Sequence, residues 1–141
     1  KELSFQETVE NWVTRDARYP AEAYYFLRDG LDFTVKARQA QRNGHSRHVS
    51  GRELCDGLRE YALREYGPLA FTVLHAWGLR ATSDFGEIVF HLAESGKLGI
   101  SKNDRREDFD KGYDFTEAFV KPYEVPEIQR RPPRPRGRGR G

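Results

Sequence analysis

Residues Ser50 to Gly96 read SGRELCDGLREYALREYGPLAFTVLHAWGLRATSDFGEIVFHLAESG, and the punctuation of this stretch decides the fold. Ser50-Gly-Arg-Glu53 is a capping box, in which hydroxyl and carboxylate each satisfy a backbone N–H at a helix start. Leu54, Leu58, Tyr61 and Ala62 then recur at helical spacing until Gly67-Pro68 closes the segment. Pro68 opens a second helix, apolar at Leu69, Ala70, Phe71, Val73, Leu74 and Trp77. Such continuous apolarity predicts a central helix with Trp77 buried and Gly78 as the left-handed residue that ends it. Thr82 or Ser83 caps a third helix, with Phe85, Ile88, Val89 and Leu92 inward and Gly96 at its end.

Downstream, Leu98 and Ile100 read as a short strand and Asn103-Asp104 as a turn. Tyr113, Phe115, Phe119 and Val120 form a returning apolar segment, although Asp114-Phe-Thr-Glu117 also fits the start of a short helix. Three helices followed by a β-hairpin make a winged-helix-like order over residues 50–120, so the expected class is α+β, mostly helical. Upstream, Ser4 to Glu7 is another capping box, opening a helix over Phe5 to Arg15 with Val9 and Trp12 on its apolar face. Pro20 suits the first turn of the next helix, which ends at Gly30 or runs on towards Arg42. Trp12, Trp77, Tyr24 and Phe26 are spaced for core packing, and Tyr25 is the aromatic expected to be exposed.

Residues 1–122 are therefore read as one folded domain and residues 123–141 as a disordered Pro/Arg/Gly-rich tail. The last twelve residues, RRPPRPRGRGRG, hold Arg130, Arg131, Arg134, Arg136, Arg138 and Arg140 and no acid. Removing these six from the 24 Lys and Arg leaves 18 against 22 Asp and Glu, so the chain divides into an acidic body and a cationic end. Guanidinium groups pair with phosphate and stack on bases, which points to RNA or a ribosome as partner. A second basic stretch comprises Lys36, Arg38, Arg42 and Arg47, with no acid between Val35 and Arg52. The third helix is expected to expose Asp84, Glu87, His91 and Glu94. Acids there repel DNA phosphate, so groove docking is disfavoured, and Asp84, Glu87 and Glu94 are instead candidates for meeting a basic protein partner.

Chemistry-bearing patterns are sparse. There is no Gly-rich phosphate loop and no nucleophile elbow, and a non-enzymatic role is expected, with a hydrolase site built from scattered residues as the alternative. His45, His48 and Cys55 make a poor zinc set, and the acids of Asp108 to Asp114 depart from a calcium loop, so neither metal nor cofactor is expected. Cys55 is the single cysteine and reads as a small core residue, consistent with a reducing, cytoplasmic setting. No apolar run suits a membrane span. The sequence holds no Met and begins at Lys1, so a native N-terminus upstream of it is expected.

Four blocks stand in a familiar order: Arg18 to Phe26 (RYPAEAYYF), Ser50 to Leu54 (SGREL), Phe71 to Gly78 (FTVLHAWG) and Thr82 to Phe90 (TSDFGEIVF). They resemble an uncharacterised family of conserved hypothetical proteins found mainly in Planctomycetes and Verrucomicrobia, over most of residues 5–120. The resemblance implies no activity, and no functional residue is carried over from it.

Overall fold

The computed structural model describes residues 2–41, 49–98 and 106–125. Six α-helices are present among them: α1 (Phe5–Arg15), α2 (Ala21–Gln41), α3 (Gly51–Tyr66), α4 (Ala70–Ala76), α5 (Thr82–Glu94) and α6 (Glu107–Asp110). A π-helical turn (Thr116–Val120) and a 3-10 turn (Lys121–Tyr123) follow, so helical structure continues just past Pro122. Both predicted capping boxes form: Ser4 Oγ accepts from the N–H of Glu7, and Ser50 Oγ accepts from the N–H of Glu53, each at 3.1 Å. The second helix runs on through Gly30.

The expected α+β class is overturned, because the described residues contain no strand and the protein they form is all-α. Where the returning strand was expected, Phe115, Ala118 and Phe119 are buried at intervals of three and one, which is a helical spacing. Asp114 starts that turn, its carboxylate accepting from the N–H of Glu117 at 3.1 Å and its carbonyl from the N–H of Ala118 at 2.9 Å. Tyr113 adds a stacked ring on Phe115, with centroids 6.0 Å apart. Leu98 is half-buried, while Ile100 and the expected Asn103-Asp104 turn lie outside the described residues. The winged-helix-like arrangement goes with the hairpin.

The central helix is α5 rather than the segment before it. Phe85, Ile88 and Leu92 are fully buried on α5, whereas α4 buries only Ala70 and Leu74. The seven residues of α4 make a short peripheral helix, and Trp77 is half-buried at its end. Gly78 does have the expected left-handed backbone, with φ 79°. A Cβ there would also meet the carbonyl oxygen of Arg18 at 2.5 Å, so the loop before α2 depends on this glycine twice over.

Helices α2 and α3 form an antiparallel pair. Arg38 approaches Glu53 at one end and Phe26 lies against Tyr61 at the other. Between them the backbones come close where side chains are missing. A Cβ on Gly57 would stand 1.8 Å from Thr34 Oγ1, and one on Gly30 would stand 2.3 Å from Leu58 Cδ2. Thr34 is itself fixed, since its buried hydroxyl donates to the carbonyl of Gly30 at 2.7 Å.

Replacing Gly57 with Ala therefore overpacks the crossing and should destabilise the domain by about 1–3 kcal/mol in chemical denaturation. Thr34→Ala removes the two atoms nearest the new methyl other than the Thr34 Cβ. The double variant should consequently be more stable than the sum of the single effects by about 1 kcal/mol. Additive effects would place the close approach elsewhere.

Candidate functional site

A dense group of polar side chains lies where the α1–α2 loop meets α5. Asp16 caps the end of α1, its N–H donating to the carbonyl of Trp12 at 2.8 Å. Arg18 folds back on it: the backbone N–H donates to Asp16 Oδ1 at 3.1 Å, and the guanidinium reaches the carboxylate at 3.0 Å through Nε and 2.6 Å through its terminal nitrogen. This bidentate grip holds the Asp16 carboxyl down to about 2. The same guanidinium reaches Glu87 Oε1 at 3.3 Å, and Arg106 reaches the other oxygen of Glu87 at 3.1 Å. Tyr19 donates its hydroxyl to Asp84 Oδ1 at 2.5 Å, and burial pushes that phenol upward.

Behind this surface layer, His91 is buried. Trp12 lies flat on its ring, with centroids 3.8 Å apart and planes 5° from parallel. The hydroxyl of fully buried Tyr24 is 3.0 Å from Nδ1, and Asp16 Oδ2 is 3.6 Å from Nε2. A neutral ring with its proton on Nε2 satisfies both neighbours, accepting from Tyr24 and facing the carboxylate. Burial lowers the pKa of His91, with Asp16 and Glu87 pulling the other way. Trp12 closes the cluster by donating from Nε1 to Ser95 Oγ at 2.7 Å, and that hydroxyl donates to the carbonyl of His91 at 3.0 Å.

Tyr24, His91 and Asp16 thus have the order of a proton relay, but the geometry closes it to substrate. Both imidazole nitrogens face protein partners, one ring face is covered by Trp12, and the hydroxyl of Tyr24 has no exposed surface. What the arrangement does is tie α1, the loop, α2 and α5 into one unit. It is a lock rather than a reaction centre.

The residues singled out from sequence are distributed quite differently from that expectation. Asp84 is half-buried, and besides Tyr19 it accepts from the N–H groups of Arg80 at 2.9 Å and Ala81 at 3.2 Å. Asp84 therefore starts α5, in place of a Thr82 or Ser83 cap, while Thr82 is buried and donates to the carbonyl of Phe109. Glu87 bridges two arginines, His91 faces inward, and Glu94 alone of the four is exposed. Lys36 pairs with Asp32 at 3.0 Å, one turn before the acid-free stretch begins, and Arg38 lies 4.0 Å from Glu53 of α3. Arg42, Arg47, His45, His48 and all six tail arginines lie outside the described residues. Cys55 is buried as expected, and burial pushes its thiol up to about 12. Among the described residues no cluster of His, Cys, Asp or Glu could hold a metal ion, and no helix is long and apolar enough to cross a membrane.

Comparisons with known protein families, with curated proteins and with solved structures find no match to this chain.

Because the pKa of His91 is lower in the folded protein than in the unfolded chain, the unfolded state binds this proton more readily below about pH 6.5. The stability it contributes is present above that pH and declines as the pH falls through the folded-state value. The carboxyl of Asp16, also lowered, adds a second loss between about pH 4 and 2. Thermal unfolding should show a falling midpoint from pH 7 to 5. In His91→Gln, which keeps an amide near Tyr24 but does not titrate, that fall should flatten and the midpoint at pH 7 should drop by the equivalent of about 1–3 kcal/mol. Identical pH slopes would mean that another group carries the dependence.

Proposed function

We propose that this is a non-enzymatic RNA-binding protein, acting on free RNA or on a ribosome. Its arginine-rich end supplies the phosphate contacts, and the all-α domain presents that end. The observation that carries this reading is the segregation of charge: six arginines without an acid in residues 130–141, against a net-acidic remainder. Arginine suits the task because its planar guanidinium forks onto phosphate and stacks on unpaired bases. The setting of α5 weighs on the same side. Asp84 and Glu87 are occupied by Tyr19, Arg18, Arg106 and the helix start, so they do not form a free acidic face for a basic protein. With His91 buried and no winged-helix arrangement, α5 also lacks the exposed donors that a DNA groove requires. The buried relay and the unreactive Cys55 give a hydrolase no accessible nucleophile of their own.

If all six arginines contact phosphates on single-stranded RNA, log K should fall against log salt with a slope of roughly −4, from about −0.7 per contact. The full-length variant with those six arginines changed to Gln should lose most of that slope while its helical domain stays folded. A variant that retains the parent's affinity and salt slope would move RNA binding to the folded domain or remove it from the account.

A further inference from the structure

A second feature of the surface is unconnected with the α5 cluster. At the end of the α2–α3 pair that carries Phe26, a cavity of about 240 Å³ opens between Tyr61, Tyr66 and Trp77, with Glu22 and Asp29 at its edge. Buried Phe26 forms its floor, with centroids 5.7 Å from Tyr61, 6.5 Å from Tyr66 and 5.9 Å from Trp77. Tyr66 and Trp77 stand edge to face at 84°, 5.8 Å apart, so the walls present ring faces at right angles. All three wall residues are only partly buried.

The rim is negative. Glu22 is exposed and has no ion-pair partner among the described residues, while Asp29 is half-buried and is shared with Arg28 at 3.1 Å. Aromatic faces beside carboxylates favour a cation, and a guanidinium best, because it is planar, weakly hydrated and able to lie against a ring while pairing with an acid. Burial and then the charges of Asp29 and Glu65 raise both phenols, Tyr61 and Tyr66, so the walls stay neutral.

The chain itself contains a segment of matching chemistry. Residues 130–136 read RRPPRPR, in which prolines that pack on aromatic rings alternate with guanidinium groups. The described chain ends at Val125, just after the turns that begin at Thr116, and the first of these packs against α4. Trp77 is the C-cap of that same helix. From Val125 to Arg130 an extended chain spans roughly 17 Å at about 3.3 Å per residue, whereas α4 is only about 10 Å long. The linker is thus longer than the helix whose C-terminal end carries Trp77.

We propose that the cavity bounded by Tyr61, Tyr66 and Trp77 is a binding site for the Arg130–Arg136 segment of the same molecule, with an arginine between the rings and the rim carboxylates. The site then holds the tail in a second position, distinct from any it takes on RNA. The inference goes beyond the RNA reading and does not depend on it.

The test is ¹H–¹⁵N NMR of the full-length protein in low salt without RNA, compared with the full-length variant carrying Gln at all six tail arginines. The Trp77 indole N–H should shift between the two proteins while that of Trp12, in the α5 cluster, stays in place. Added salt should move the parent's Trp77 signal to the variant's position, and Glu22→Gln should lower the salt concentration at which this happens. The shift should not depend on protein concentration. Coincident Trp77 signals in parent and variant would overturn the proposal. A shift that grows with protein concentration would also overturn it, by assigning the site to the tail of a second copy. Since no RNA is present, failure here leaves RNA binding standing, and failure of RNA binding leaves this measurement intact.

Discussion

The close approach of α2 and α3 at Gly30 and Gly57 is the constraint on which the rest of the molecule depends. With hydrogen in place of Cβ on both helices, Thr34 and Leu58 fill space that backbone and side chain would otherwise contest. That contact fixes which way α2 faces along its length. Tyr24 and Leu27 are then buried towards the core, Phe26 meets both Phe85 of α5 and Tyr61 of α3, and Glu22 and Asp29 are left at the edge of the aromatic cavity. The lock around His91 and the cavity floored by Phe26 are consequences of one helix orientation. Neither glycine carries a functional group, and either becomes expensive to replace because of what lies opposite.

Local chemistry was legible in the sequence, and tertiary chemistry was not. Ser4-Glu7 and Ser50-Glu53 satisfy backbone groups within four residues, so their motifs predict the caps that form. Gly78 could be assigned for the same reason. Tyr113, Phe115 and Phe119 fit an apolar strand until Ala118 is counted with them, and alanine is too small to announce a buried face; the alternative helix start at Asp114-Phe-Thr-Glu117 is the one that forms. Continuous apolarity in α4 suggested a central helix, but a segment so short cannot be surrounded, and its apolar surface closes one side of the core instead. His91 looked exposed because polar residues are placed outward by default. Its partners come from Trp12, Asp16 and Tyr24, nearly seventy or more positions away, and the local part of the arrangement is confined to the Asp16-Ala-Arg18 turn.

Charge shows the same division. Counting acids within a window made Lys36 and Arg38 look uncompensated, yet Asp32 lies just before the window and Glu53 just beyond it. Asp84 and Glu87 of α5 looked available and are instead bound to Tyr19, Arg18 and Arg106, while Glu94 is exposed. Folding thus pairs many of the domain's charges internally, and surface pairs of this kind contribute little individually while masking each other from a partner. The tail is different in composition: nothing within residues 130–141 can neutralise its six arginines, so whatever neutralises them lies in another part of the protein or in another molecule.

Ultraviolet cross-linking of the full-length protein to a radiolabelled single-stranded RNA, followed by peptide mapping, tests that conclusion most directly. The account predicts adducts confined to peptides from residues 126–141, abolished by salt and by the six-glutamine substitution, with α5 peptides unmodified. Adducts concentrated on the helical domain and unchanged by the substitution would contradict it.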